Sequence, residues 1–155
     1  MAKLYLVRHA KAGERRLWKG DDLDRPLSPK GWKQSELVAK RLLDEQISTL
    51  HSSPYVRCEQ TLEPLAAALH RSIETDKRLA EDEPFEPVLE MLGEVPAGAV
   101  LCSHGDIIPS VIAALERRGM DIRTPPDWRK ASVWVLKRNT RGEIVHATVW
   151  PPPIS

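Results

Sequence analysis

The runs Leu4-Tyr5-Leu6-Val7 and Ala99-Val100-Leu101-Cys102 constrain this chain most, because neither alternates apolar with polar residues. A strand that is apolar at every position is covered on both faces, as in a largely parallel sheet lying between helices. Each run ends in polar residues, Arg8-His9 after the first and Ser103-His104-Gly105-Asp106 after the second. In open α/β sheets the crevice beyond the strands' carboxyl ends is where ligands bind.

Between these runs, helical and extended patterns alternate. Ser28-Pro29 reads as an N-cap with proline at the first helical position, and Val38/Leu42 with Ala39/Leu43 give one buried face through about residue 46. Ile47 to His51 is expected as a short strand, and Tyr55–Thr61 as helix that Pro64 either kinks or restarts. Leu62, Leu65, Ala66 and Leu69 keep the core-facing spacing in both cases. Ser72–Thr75 and Ala99–Ser103 read as strands, Pro84–Leu92 and Ile107–Arg117 as helices. Ser132–Leu136 and Glu143–Val149 form an alternating pair around Asn139–Gly142, a hairpin at the sheet edge. The polar stretch from Lys11 to Asp22 has no period and is expected as an exposed loop beside His9; the tail Pro151–Pro153 reads as a simple end. The order implies an α/β fold, a three-layer α/β/α sandwich with a mostly parallel sheet and an antiparallel edge hairpin.

At 155 residues the chain reads as one domain spanning 1–155, able to bury roughly two thirds of its unfolded surface without a staple. Lys+Arg 23 against Asp+Glu 22 gives no overall pull toward nucleic acid or membranes, so neither is expected as a partner. Cys58 and Cys102 make neither a disulfide framework nor a metal-type spacing. With no charged-then-apolar leader and no membrane-length apolar stretch, a cytoplasmic protein beginning at or near Met1 is expected.

The polar strand ends point to phosphoryl chemistry. A neutral imidazole such as His9 can attack phosphorus directly, and the phosphoramidate it forms hydrolyses readily. Arg8, and Arg57 in Ser53-Pro54-x-x-Arg57, offer planar forks that match phosphoryl oxygens. They also favour the neutral form of His9. His104, at the mouth of a helix, can donate to an equatorial oxygen beside free amides, and Gly105 lets the backbone approach. Glu81 is the candidate acid/base, with Asp82 and Glu83 as competitors. Arg8-His9, Ser-Pro-x-x-Arg or Ser-His-Gly alone is commonplace; the combination, in order on alternating strands and helices, carries the inference. A metal centre of His9, His104 and a carboxylate is disfavoured because the paired arginines repel a cation. No metal and no cofactor is expected. The basic residues Arg15, Arg16 and Lys19 read as solvated surface or as a steering element for substrate.

Arg8-His9, Ser53-Pro54-x-x-Arg57, Ser103-His104-Gly105 and the acidic group after Leu79, in this order over nearly the whole chain, resemble the histidine phosphatase superfamily, the phosphoglycerate mutase-like fold. Asp24-Arg25-Pro26-Leu27-Ser28-x-x-Gly31 is similar to its short, SixA-like branch. Gly20-Asp21-Asp22, the segment from Arg57 to Ala67, and Arg129-Lys130-Ala131-Ser132-x-Trp134-Val135-Leu136 look like the histidine phosphatase domain that follows a Nudix domain in actinobacterial sanitising hydrolases. The resemblance implies a phosphatase acting through phospho-His9, with Arg8, Arg57, His104 and Gly105 binding the phosphoryl group. Glu81 stands two residues after Leu79, where larger members would place their proton donor.

Three features depart from the pattern. Ala10 stands where Gly is usual, which matters only if that turn needs positive φ. Lys11 replaces the acidic residue common in mutases, and no insertion is available for a lid, so the site is expected to be open. The expected partner is a phosphorylated protein, a small phosphorylated metabolite or a nucleotide. Openness favours protein phosphohistidine, whereas the likeness to the Nudix-linked domain favours nucleotides. A non-catalytic module that reads phosphorylated partners is a further alternative, with mutase activity the weakest.

Overall fold

The computed structural model describes residues 1–154. Its elements run β1 (Ala2–Arg8), α1 (Pro29–Leu42), β2 (Leu50–Ser52), α2 (Val56–Leu69), β3 (Ile73–Thr75), α3 (Glu86–Glu94), β4 (Val100–Ser103), α4 (Ile107–Arg117), β5 (Asp121–Ile122), β6 (Val133–Arg138) and β7 (Ile144–Trp150). The seven strands form one sheet in the order β3-β2-β4-β1-β6-β7-β5. Pairs β1/β4, β2/β3, β2/β4 and β5/β7 are parallel, and β1/β6 and β6/β7 are antiparallel.

The non-alternating run in β1 is buried on both faces. Leu4 and Leu6 pack with Val88, Met91 and Leu92 of α3 and with Val111 and Leu115 of α4. Tyr5 and Val7 turn to the other side, among Val38 and Leu42 of α1 and Leu62 and Leu65 of α2. This is the expected three-layer sandwich, and each fully buried Leu or Val on β1 contributes about 1.5–3 kcal/mol of transfer free energy.

Several boundaries differ from the sequence expectation. Helix α1 starts as expected, with Ser28 Oγ accepting from the Gly31 amide at 3.1 Å, but ends at Leu42. Strand β2 begins at Leu50, not Ile47. Helix α2 runs unbroken through Pro64; proline removes only one intrahelical donor there, and Leu62 and Leu65 stay fully buried on either side. The hairpin of β6 and β7 does form one flank of the sheet, but the outermost place is taken by the short β5. The stretch after His9 is exposed from Glu14 to Asp21, as expected, but it is not without local structure. It contains short 3-10 turns at Arg15–Leu17 and Asp22–Asp24 and a bridge between Ala12 and Leu27. The proline-rich tail is tied down, since the Ile154 carbonyl accepts from Gln34 Nε2 at 2.8 Å. Among the described residues no helix is long and apolar enough to cross a membrane.

Candidate active site

Parallel β2, β4 and β1 lie side by side and end together, with Ser52 paired to Cys102 and Arg8 to Ser103. The pairing continues past the strands: the Ser53 amide donates to Cys102 O at 3.0 Å and the His9 amide to Ser103 O at 3.1 Å. The chain after each strand therefore turns out of the sheet at one level. Ser53, His9 and His104 are delivered to one place, and α2 brings Arg57 a turn later.

His9 is 5% exposed, and its Nδ1 lies 2.8 Å from the carbonyl of Ala10. A carbonyl only accepts, so Nδ1 carries the proton and Nε2 holds the free lone pair. Burial holds the His9 pKa well below 6.5, and the neighbouring His104, Arg57 and Arg8 add to this against the opposing Ala10 hydrogen bond. The ring is therefore a neutral base at ordinary pH. Ala10 is fully buried and donates its amide to Thr61 Oγ1 at 2.9 Å. Among the described residues the non-glycine positions at positive φ are His70, Asp82 and Ala131, so alanine at position 10 carries no backbone strain.

The rings of His9 and His104 meet edge to face with centroids 5.4 Å apart. His104 is fully buried; its Nε2 lies 2.8 Å from Ser53 Oγ and 3.5 Å from Cys58 Sγ, and Tyr55 stands against its ring. Ser53 Oγ accepts from the Tyr55 amide and meets His104 Nε2, which orients the ring so that Nδ1 is turned toward Glu81. Arg8 lies across Gly105: a Cβ built there would sit 2.6 Å from Arg8 Cζ. That close approach is what glycine after His104 provides.

Arg57 is fully buried, stacked 4.8 Å from the Tyr55 ring centroid. Its Nη1 donates to Asp22 O at 3.0 Å and its Nη2 to Asp22 Oδ2 at 3.1 Å and Glu81 Oε1 at 3.3 Å. Glu81 also accepts from Arg15 Nη2 at 3.2 Å and stands 3.9 Å from His104 Nδ1. It is held there from behind, because Ser103 Oγ donates to Leu79 O at 2.6 Å and Leu79 is fully buried. Asp82 and Glu83 are exposed, and the Asp82 amide is turned toward Asp106 Oδ2 at 2.9 Å. Of the three acidic candidates, only Glu81 reaches Arg57 and His104.

Three buried nitrogens here lack a hydrogen-bond partner: Arg8 Nε, Arg57 Nε and His104 Nδ1. Ser132 Oγ, just behind Arg8, shares this state, as do Trp134 Nε1 on β6 and His146 Nδ1 on β7. A cavity of about 320 Å³ opens at Arg8, His9, Glu81 and Gly105, which line it, with Arg57 and His104 buried behind that lining. Among the described residues no group of three or more His, Cys, Asp or Glu side chains is placed to hold a metal ion.

The structure thus brings Arg8, His9, Arg57, Glu81, His104 and Gly105 together. The sequence reading missed Asp22 as the partner of Arg57, Ser53 as the group orienting His104, and Arg25 and Lys130 in the cavity wall. Asp22, Arg25 and Lys130 stood within stretches quoted for the family resemblance.

This fold has known counterparts, and the chain belongs to the histidine phosphatase superfamily (branch 1), which residues 4–83 match. Over 155 aligned residues it is 36% identical to the 8-oxo-(d)GTP phosphatase of Mycolicibacterium smegmatis, the alignment covering 96% of this chain and 48% of that protein. The chain thus spans about half the length of this relative. Among solved structures it is similar to the protein histidine phosphatase SixA complexed with tungstate, with 25% identity, a TM-score of 0.75 and coverage of 96% and 94% of the two chains. The fold is also that of a mycobacterial glucosyl-3-phosphoglycerate phosphatase, at 19% identity and a TM-score of 0.71, covering 98% of this chain and 100% of the other.

Proposed function

We propose that this chain is a metal-independent phosphatase that hydrolyses a phosphomonoester or a protein phosphohistidine through a phosphoryl group carried on His9. The observation that carries the reading is the set of unpartnered buried nitrogens on Arg8, Arg57 and His104 around a neutral His9. Buried donors without partners are rare, and a tetrahedral oxyanion satisfies them together.

In the first step His9 Nε2 attacks phosphorus and the bond to the leaving group breaks, that group keeping the electron pair. Arg8, Arg57 and His104 hold the phosphoryl oxygens as charge spreads over them. Glu81 supplies the proton that a poor leaving oxygen needs. A phosphoryl oxygen that takes over the Arg57 Nη2 donor also releases Glu81 from that contact. In the second step Glu81 accepts a proton from water, water oxygen bonds to phosphorus, and the N–P bond breaks to return the lone pair to His9.

Two observations bear on the substrate. The likeness to SixA supports phosphohistidine, whereas the sequence likeness to an 8-oxo-(d)GTP phosphatase supports a nucleotide. Hydrolysis of an aryl phosphate in excess chelator tests the common core. The wild type is expected to turn over and His9→Ala to lose essentially all activity while still binding orthophosphate. An inert wild type that binds phosphate supports a phosphate-reading module instead, and activity restored only by added metal removes metal independence.

A further inference from the structure

The charges of the cavity wall exceed what one phosphoryl group uses. At about 320 Å³ the cavity falls at the lower end of small-molecule sites, which run from about 300 to 1,000 Å³. Its cationic side chains are Arg8, Lys11, Arg15, Arg25 and Lys130, against the carboxylates Glu14, Glu81 and Asp106.

Each carboxylate has a partner, Glu81 and Asp106 partly within the wall itself, where Asp106 acts on Arg8. Glu14 pairs with Arg16 at 2.9 Å, Glu81 with Arg15 and Arg57, and Asp106 Oδ2 accepts the Asp82 amide. Arg25, 6% exposed, is held by Asp22 Oδ1 at 2.8 Å. Lys11 and Lys130 remain. Desolvation lowers the Lys130 pKa, and the charges that lower it further are Arg8, Arg25, Lys11 and Arg57, all cations.

The backbone fixes where these lysines stand. Lys11 is two residues past His9, with its amide bound to Gln34 Oε1 at 2.9 Å. Lys130 precedes Ala131, which is fully buried at φ 68° and donates its amide to Arg8 O at 3.1 Å and His9 O at 3.2 Å. A non-glycine residue held at positive φ against the nucleophile's own carbonyl is a costly placement, of a kind that recurs in functional sites. The backbone at both lysines is thereby tied near His9, and both exposed side chains line the cavity without an ion-pair partner among the described residues.

We infer that Lys11 and Lys130, backed by Arg25, form a second anion subsite that receives the next phosphate of a phosphoanhydride, so that the chain acts on the terminal phosphate of a nucleoside di- or triphosphate or of inorganic polyphosphate. This rests on the His9 reading above. His9 Nε2 bonds to the terminal phosphorus, and the bond from that phosphorus to the bridging oxygen breaks. The bridging oxygen leaves with the electron pair as part of the shortened phosphate chain, which Lys11 and Lys130 neutralise. Water then releases orthophosphate from His9 as before. A phosphate leaving group is a stable anion, so this step asks less of Glu81 than an alkoxide does. A phosphohistidine side chain brings no second anion to the lysines.

Calorimetric titration of the His9→Ala protein, which reads binding without turnover, tests the subsite. Orthophosphate, pyrophosphate, tripolyphosphate and GTP serve as probes, without added divalent metal. Pyrophosphate is expected to bind at least about tenfold more tightly than orthophosphate, and adding Lys11→Met and Lys130→Met should bring the ratio to within about threefold. Adding instead the exposed pair Lys3→Met and Lys40→Met, of which Lys3 stands at the opposite end of β1 from His9, should leave the ratio intact; an equal collapse shows bulk charge and overturns the subsite. GTP binding more tightly than tripolyphosphate identifies a nucleotide as the source of the anhydride, and the reverse order identifies inorganic polyphosphate. Equal affinity for orthophosphate and pyrophosphate, alongside aryl phosphate hydrolysis that depends on His9, ends this inference and leaves the His9 reading standing. Wild-type hydrolysis without His9, alongside a lysine-dependent preference for pyrophosphate, does the opposite.

Discussion

At the scale of single residues, the site depends on groups whose state is set by their neighbours. Glu81 accepts from two guanidinium groups, those of Arg15 and Arg57, and faces His104. If it protonates the leaving oxygen, Glu81→Gln slows hydrolysis of alkyl phosphates by about 10²–10⁴-fold, the usual size of general-acid help. Aryl phosphates and phosphohistidine peptides lose much less, because their leaving groups depart without full protonation. Steady-state rates on both substrate types check this, and equal losses on both assign Glu81 another task. His9 makes the second prediction. Its pKa lies well below the ordinary 6.5, so the nucleophile stays deprotonated as the medium is acidified and its protonation leaves no acid limb in kcat/KM near 6.5. Stability has the matching sign. Below 6.5 an unfolded His9 binds a proton that the folded one refuses, so its contribution is whole above that value and falls as pH drops. The slope attributable to one such histidine is at most about 1.4 kcal/mol per pH unit. Urea unfolding at stepped pH should show it in the wild type and not in His9→Ala.

At the scale of elements, the stretch after His9 matters because it brings Asp22 and Arg25 to the site and is itself tied to α1. Gly31 in the first turn of α1 is where the two meet: a Cβ there would stand 1.9 Å from Lys11 O, which is backbone and cannot swing aside. Gly31→Ala is expected to destabilise the fold by about 1–3 kcal/mol, as overpacking does, or to displace Lys11. Thermal unfolding together with aryl phosphate kinetics checks this, and unchanged values in both would contradict the packing described. The sequence carried β1, β4 and α4 plainly because continuous apolar runs bounded by polar turns leave few alternatives. It carried Arg8, His9 and His104 for the same reason, since a strand end is a local signal. Strand β5 left no such mark: it has two residues and exists by pairing with β7. Asp22, Arg25 and Lys130 stand in loops, and their place depends on closures between distant segments, such as the Ala131 amide bonding to Arg8 O and His9 O. Ser53 was visible as part of a motif, but its bond to His104 appears only when β2 and β4 end at one level.

At the scale of the whole molecule, a formal charge of +1 at pH 7 conceals an uneven distribution, with cations gathered in one cavity wall at the carboxyl end of the parallel strands. The sheet supplies the precision. Three parallel strands in fixed register set His9, His104 and Ser53 from three distant parts of the chain, and α2 carries the buried Arg57 fork that completes the pocket. If phosphorus passes through His9, rapid-quench mass spectrometry during turnover of an aryl phosphate catches it there. The expected result is an acid-labile phosphoryl adduct on the His9 ring that forms within the first turnover, decays as substrate is exhausted, and is absent from His9→Ala. Full turnover with no adduct at His9, or wild-type hydrolysis by His9→Ala, would contradict the account.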